Sequence, residues 1–271
     1  MLSSPIFWRD ARMPFVELRS IADGRNVCYA PHSHSQWSLG AITEGSSTFC
    51  YRGEQRKVEA GSLVLINPKW VHACNPIDNQ PWSYMMLYVD TDWLTDLRYN
   101  AGLLDSSSWQ DIAIDSLSNP TWYAAFCCMA ECLLDADREL LEKQISVVEF
   151  LTALMVEVAD SVVMVPPKTP EKIQALAIYL EQNATQEVSL ERLCEYSGYS
   201  SGYLIRAFKQ YFGLTPHAYL LNYRVQCGQQ ALKQGLSIAE AAFNNGFADQ
   251  PHFQRIFKKL LAATPNQYRQ S

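Results

Sequence analysis

Ser189-Leu190-Glu191-Arg192-Leu193-Cys194, Gly198-Tyr199-Ser200, Leu204-Ile205-Arg206-Ala207-Phe208-Lys209 and Gly213-Leu214-Thr215-Pro216 follow one another in the last third of the chain. About forty-nine residues further on the pattern returns as Ser237-Ile238-Ala239-Glu240-Ala241-Ala242, Gly246-Phe247-Ala248-Asp249, Phe253-Gln254-Arg255-Ile256-Phe257-Lys258 and Ala262-Ala263-Thr264-Pro265. Each copy reads as a short amphipathic helix, a glycine at a tight reversal, and a second helix with an Arg-x-Phe-Lys core. That is the arrangement of a helix-turn-helix unit, present twice. Leu193, Phe208, Phe253 and Phe257 recur at helical spacing and are expected in the core, holding the second helices in place. Asp249 is expected to cap the last of them, because its carboxylate can accept from first-turn amides.

Charge is divided to match. The chain of 271 residues has a net charge of -6. Residues 168–271 hold eleven Lys and Arg against seven Asp and Glu, a balance of +4, which leaves -10 for residues 1–167. A mildly basic C-terminal module suits phosphates, whereas the acidic N-terminal module should lie away from a duplex. Composition, with 18% charged and 48% hydrophobic residues, is that of a globular protein. No apolar run approaches the roughly 20 residues of a bilayer span, and no basic-then-apolar leader opens the chain, so the expectation is a cytoplasmic protein without a membrane partner. The eight cysteines include no C-x-x-C pair and read as reduced, mostly buried thiols.

Three prolines, Pro166, Pro167 and Pro170, interrupt the chain and mark residues 162–170 as a linker. Before it, residues 122–136 and 140–160 read as two helices. In the second, Leu141, Ile145, Val148, Leu151, Met155 and Val158 form one apolar stripe, for which packing on the chain's own barrel and a dimer interface are both open. The first hundred residues read as strands at 36–43, 47–51, 62–66 and 84–89, separated by turn signals such as Glu44-Gly45 and Ala60-Gly61. Short strands so spaced favour a barrel able to enclose a ligand.

These residues resemble the AraC/XylS family of bacterial transcription regulators, over essentially the whole chain. Gly246-Phe247, the Phe253 to Lys258 run and Thr264-Pro265-Asn266-Gln267-Tyr268-Arg269 match the family's terminal signature. His32-Ser33-His34, Glu44-Gly45, Gly53, the Gly61 to Pro68 run and His72 fall in the order of its cupin-like sensory domain. The resemblance implies an α+β chain: a cupin-like effector-binding β-barrel at 1–120, a helical dimerisation or packing segment at 121–161, the linker at 162–170, and an all-α double helix-turn-helix domain of seven helices at 171–271, with Pro216 to Lys233 as connector. It further implies a one-component regulator, activator or repressor, that binds double-stranded DNA as a homodimer, responds to a small-molecule effector, meets RNA polymerase if it is an activator, and needs no cofactor. One departure stands out. The family's glycine before Thr-Pro is Gly213 in the first copy but Ala262 in the second, so Ala262 must adopt a left-handed backbone or let the turn relax.

By the same resemblance the reading positions are Ser201, Gly202, Ile205 and Arg206 in the first copy and Gln250, Pro251, Gln254 and Arg255 in the second, with His252 nearby. Arg206 suits guanine or phosphate, and the glutamines suit adenine. Lys209 and Lys258 are expected on phosphates. Arg206 and Arg255 have an alternative role in ion pairs with Glu195 or Asp249. In the barrel, the candidate ligand-binding residues are His32, His34, Trp37, Phe49, Tyr51, Trp70, His72 and Tyr84. His32, His34 and His72 are also the candidate metal ligands, since histidines one residue apart on a strand share a face. Metal-dependent cupin enzymes usually add a carboxylate shortly after, yet Ser35, Gln36, Trp37, Ser38 and Leu39 fill that stretch. A regulator is therefore expected rather than an enzyme, with no metal. The alternatives are a cupin enzyme fused to a DNA-binding domain and a regulator controlled by a partner protein.

Overall fold

The computed structural model describes residues 5–25, 28–159 and 169–269. The expected linker falls almost wholly at 162–168, outside the described residues; Pro170 is the N-cap of the next helix.

Among the described residues the N-terminal half is built on eight antiparallel strands: β1 (Ile6–Trp8), β2 (Val16–Ile21), β3 (Trp37–Tyr51), β4 (Glu54–Glu59), β5 (Leu63–Ile66), β6 (His72–Pro76), β7 (Trp82–Val89) and β8 (Ser116–Leu117). Helix α1 (Thr91–Asn100) precedes β8, and α2 (Pro120–Leu134) and α3 (Leu140–Glu157) follow it. Order along the sheet is β1-β2-β7-β3-β5-β8, with β4 and β6 both paired to β3. The two strands expected at 36–43 and 47–51 are one. Glu44-Gly45 does not reverse the chain; β3 passes through a bulge between Ile42 and Glu44, with Gly45 at φ +68°. A side chain there would come against the Pro81 carbonyl, so only glycine lets the strand bend so close to its neighbour. The bend sends the first half of β3 to β7 and β5 and the second half to β4 and β6.

Strand alternation then makes two cores. Trp37, Leu39 and Ala41 on β3 and Met85, Leu87 and Val89 on β7 face one way, onto Phe126, Met129 and Leu133 of α2 and Val147, Leu151 and Leu154 of α3. Ile42 on β3 and Trp82, Tyr84 and Met86 on β7 face the other way, into the barrel with Phe49, Tyr51, Val64 and Ile66. Of the apolar stripe expected on α3, Leu151, Met155 and Val158 are buried in the first core, while Leu141, Ile145 and Val148 remain 63%, 46% and 38% exposed, and Val156 beside them 55%.

The C-terminal half has seven helices among the described residues: α4 (Glu171–Gln182), α5 (Leu190–Ser197), α6 (Ser201–Phe212), α7 (Pro216–Lys233), α8 (Ile238–Asn244), α9 (Gln250–Leu261) and α10 (Pro265–Arg269). Sequence fixes the starts. Ser189, Ser200, Thr215, Ser237 and Asp249 each accept a first-turn amide, an arrangement worth about 1 kcal/mol apiece. Leu193, Leu204, Phe208 and Leu220 belong to one core, and Val225, Leu232, Phe253, Phe257 and Tyr268 to a second. Helix α7 runs through both and so fixes one helix-turn-helix unit against the other. Its Gly228 lies under Phe253, whose ring would meet an added Cβ at 2.7 Å; the glycine lets α7 and α9 approach.

All eight cysteines are free thiols. Only Cys74 is buried, Cys28 and Cys128 are exposed and the rest half-buried, which corrects the expectation of mostly buried thiols. No helix of the described residues is long and apolar enough to cross a membrane.

Ala262 takes the left-handed option, with φ 49° and ψ 24°, and its amide closes α9 onto the Lys258 carbonyl. That backbone costs an L-residue about 1–2 kcal/mol, partly offset by the lower unfolded-state entropy of alanine. Ala262→Gly should therefore raise unfolding free energy by up to about 1 kcal/mol in urea denaturation. A lower midpoint would show that the turn is unstrained.

Candidate nucleic-acid interface and barrel chamber

Helices α6 and α9 present their N-terminal turns to solvent. Ser201, Gly202, Arg206 and Lys209 are exposed on α6 and Ile205 is half-buried. Gln250, Pro251, Arg255 and Lys258 are exposed on α9, with His252 and Gln254 half-buried. Ser200 accepts from the Tyr203 amide and Asp249 from the His252 amide at 2.6 Å, which rigidifies both first turns. Asp249 thus acts as the cap expected of it. Glu195 pairs with Arg192 at 3.5 Å instead of Arg206. Arg206 and Arg255 are exposed, and among the described residues neither takes part in an ion pair; Arg255 shares α9 with Gln250 and Gln254.

The barrel holds a narrow chamber of about 20 Å³, lined by Tyr29, His32, Gly40, Ile42, Val64, His72, Cys74, Trp82, Tyr84, Met86 and Tyr88. Of the candidate ligand residues, His32, His72 and Tyr84 line it. His34 lies just beyond, in a cleft between barrel and helices. Phe49 and Tyr51 are buried in the same core, and Trp70 packs on its rim with its indole N–H donated to Asp111 at 2.6 Å. Trp37 points the other way, into the helix-facing core. The chamber walls not foreseen are legible in retrospect: Trp82, Tyr84, Met86 and Tyr88 are the even positions of one strand, so choosing Tyr84 implied the others.

The three histidines do come together, with ring centroids 4.4 Å (His32 to His72), 4.8 Å (His34 to His72) and 6.4 Å (His32 to His34) apart. Each Nδ1 lies against a backbone carbonyl, of Ala30, Gln36 and Trp70 respectively for His32, His34 and His72. A carbonyl only accepts, so Nδ1 carries the proton and Nε2 is left as an acceptor. Among the described residues no group of three or more His, Cys, Asp or Glu is arranged to hold a metal ion. With each Nδ1 protonated on its carbonyl, the cluster forms a neutral polar wall.

A second cleft, of about 30 Å³, lies where the barrel meets the helices. Ser33 accepts through its carbonyl from Asn222 at 3.1 Å and Gln226 at 2.8 Å, both on α7. Ala30 donates its amide to the Lys259 carbonyl at 3.0 Å, Arg9 donates to the Tyr268 carbonyl at 2.8 Å, and Arg19 donates to the Leu261 carbonyl at 2.6 Å. Glu17 is buried between Arg9 at 2.9 Å and Lys233 at 2.8 Å. Burial works to raise its carboxyl pKa, yet Lys233 and Arg9 outweigh that and hold it below the ordinary value. The barrel is thus docked on the last turn of α9 and along α7, leaving the first turns of α6 and α9 uncovered.

Comparison with known proteins gives a consistent picture. Residues 14–155 match the AraC-like ligand binding domain, and residues 193–271 match a helix-turn-helix domain. The transcriptional activator RhaS of Salmonella arizonae is 31% identical over 90% of this chain and 88% of its own. The transcriptional regulator YbfI of Bacillus subtilis is 26% identical over 82% of this chain and 80% of its own. ToxT of Vibrio cholerae shares the fold, with a TM-score of 0.57 at 13% identity over 98% of this chain and 96% of that one. ToxT has also been solved bound to an unsaturated fatty acid, with a TM-score of 0.54 at 14% identity and coverage of 98% and 95%.

The histidine wall has a measurable pH signature. Burial pushes His32 down to about 3 and His34 down to about 4, and holds His72 well below its ordinary value. An unfolded chain protonates these rings at about 6.5, so it binds more protons than the folded state below that pH. Their contribution to stability is complete above about pH 6.5 and is lost as pH falls toward 4. Unfolding free energy should decline over that window by up to about 1.4 kcal/mol per pH unit for each histidine, and less steeply in His72→Gln. A flat profile in the wild type would contradict the buried neutral cluster.

Proposed function

The chain belongs to the AraC family of DNA-binding transcription regulators and has an N-terminal ligand-binding domain, and from this we propose a division of labour among its residues. The observation that carries the reading is the pair of capped, exposed helix N-termini held by one helix, α7, that packs into both helix-turn-helix cores. Each suits insertion into a major groove, in successive turns of one duplex.

Helix α9 supplies most of the polar readout: Gln250 and Gln254 suit the donor-acceptor edge of adenine, and Arg255 the acceptors of guanine. On α6, Arg206 is the polar reader, while Ser201, Gly202 and Ile205 meet thymine methyls and groove shape. Pro251 and His252 flank the α9 contacts. Lys209 and Lys258 meet phosphates and add affinity without sequence preference. Seen from the acidic barrel, docking on the far end of α9 keeps like charge away from the duplex.

The barrel chamber takes a small-molecule effector among His32, His72, Tyr84 and the unforeseen walls Tyr29, Trp82, Met86 and Tyr88. Its free space admits only a water or two, so an effector enters by displacing a side chain, and Met86, unbranched and pliable, is suited to move. Binding there would reach the DNA module because Tyr29, His32 and Tyr88 line both chamber and cleft. The exposed α3 residues Leu141, Ile145, Val148 and Val156 make an apolar face suited to a second copy, giving a homodimer. We take the protein to be a cytoplasmic regulator without enzymatic activity or cofactor that touches RNA polymerase as an activator; the name of the relative RhaS, a transcriptional activator, supports the activator part.

Arg255→Ala should weaken binding to the protein's own operator by about 1–3 kcal/mol and relax preference at one base pair, read by fluorescence anisotropy at fixed salt. Wild-type affinity and preference would remove Arg255 from the reading set. Ile145→Glu should convert a dimer to a monomer in sedimentation equilibrium; a dimer that survives would move the interface elsewhere. Native mass spectrometry of the purified protein tests the chamber directly. A copurified organic mass supports it, and a chamber-filling Gly40→Leu variant that keeps this mass would oppose it.

A further inference from the structure

Arg224 stands on α7 between Leu220, which belongs to the first helix-turn-helix core, and Val225 and Leu232, which belong to the second. It is 9% exposed, and among the described residues its charge takes part in no ion pair. A guanidinium buried without a carboxylate is tolerated where carbonyls take up its donors. Here they belong to the turn between α4 and α5: Nε donates to the Ala184 carbonyl at 2.5 Å and Nη2 to the Gln186 carbonyl at 2.8 Å. Two donors in one plane thus clasp two carbonyls two residues apart, a grip that the single ammonium of a lysine does not reproduce. The turn is also tied from within, because Gln186 donates its amide to the Asn183 carbonyl at 3.0 Å and Asn183 donates Nδ2 to the Tyr179 carbonyl at 2.8 Å.

The same turn meets the second unit. Gly246, at φ +74°, lies at the reversal between α8 and α9, and a Cβ there would stand 2.6 Å from the Ala184 carbonyl oxygen and 2.8 Å from Thr185 Cα. Glycine is required on both counts, the left-handed backbone and the close approach. The next residue, Phe247, is buried in the second core and packs on Phe253 and His252 in the first turn of α9, with ring centroids 5.0 Å and 5.4 Å away. A line of contacts therefore runs from Arg224 through Ala184 and Thr185 to Gly246, and through Phe247 to the second reading helix. It joins two turns, neither of which is part of α7. A single shared helix fixes how far apart two packed units sit along it but resists their rolling about it poorly, and a second contact away from its axis removes that freedom.

We propose that Arg224 is the positioning residue that sets the rotation of the second reading helix relative to the first, and through it the half-site spacing that the protein accepts. This rests on the reading that α6 and α9 enter successive grooves of one duplex, and adds which duplexes that pair rejects. One base pair inserted between the half-sites moves the far one by about 3.4 Å along the duplex and turns it by roughly 35° about the axis. Helix α7 opposes the first displacement, and the contacts that begin at Arg224 oppose the second. Arg224 itself lies too deep to meet a base and acts through Ala184, Gly246 and Phe247.

Duplexes enriched from a random pool by the full-length wild-type protein supply the probes, each rebuilt with one base pair inserted between the half-sites or with single bases changed inside either half. Anisotropy titration of the wild type should show affinity falling about tenfold or more on insertion. Arg224→Lys, which keeps the charge but grips one carbonyl, should cut that penalty to about threefold or less, while the ranking of base changes within each half stays as in the wild type. A variant that keeps the full insertion penalty would overturn the proposal, and so would one whose base ranking collapses with its affinity, since that marks general damage to the fold. Should Arg224→Lys misfold, Gly246→Ala intrudes on the same turn from the second unit and carries the same expectation. A wild type that accepts the insertion without loss overturns the proposal before any variant is made. If base changes in only one half matter to the wild type, the two-groove reading falls and takes this proposal with it; if both halves matter and spacing does not, only the role of Arg224 is lost.

Discussion

Everything in the N-terminal half depends on the two-residue period of β3 and β7. Odd residues of β7 and of the first half of β3 anchor the helices, and even residues wall the chamber, so two cores share one backbone; beyond the bulge the odd residues Phe49 and Tyr51 turn into the barrel. A one-residue slip would exchange them, placing Trp82 and Tyr84 under the helices and Leu87 and Val89 in the chamber. The bulge at Ile42 and Glu44 is what keeps the long strand in register with β7 while turning its far end toward β4 and β6. The chamber is therefore a consequence of how the helices are anchored. Stability on one face and ligand contact on the other cannot be altered independently.

The C-terminal half solves a different problem, that of holding two readers at a fixed separation. Helix α7 does so by contributing Leu220 to one core and Val225 and Leu232 to the other. Its 18 residues span about 27 Å, comparable with one turn of a duplex. The same helix carries Asn222, Gln226 and Lys233 to the barrel, so the element that spaces the readers is also the one the sensory half grips.

Much of this was legible in the residues. The duplicated pattern located both second helices and the Asp249 cap, because capping chemistry and helical periodicity are local. The Phe253 and Phe257 core positions followed from spacing alone. The strands were less legible. Of the eight strands among the described residues, only β3, β5 and β7 were expected, β3 as two; β1, β6 and β8 are short, β2 and β4 carry charged residues that blur their alternation, and Glu44-Gly45 looks like a turn until a partner strand is present. Trp37 shows the same limit: an aromatic at a strand start has no local mark of which face it will take. Arg19 was invisible for a stronger reason. Its burial depends on Leu261, 242 residues away, and nothing within a short window distinguishes it from any surface arginine on a strand.

That separation has a kinetic side. The contacts tying barrel to helices join Arg19 to Leu261 and Arg9 to Tyr268, 242 and 259 residues apart, among the costliest loops a chain can close. The helix-turn-helix cores close over a few tens of residues. Closing the contacts between barrel and helices is thus the entropically dearest part of the fold, and the grip of the sensory half on the readers costs the chain more order than either reader's own core.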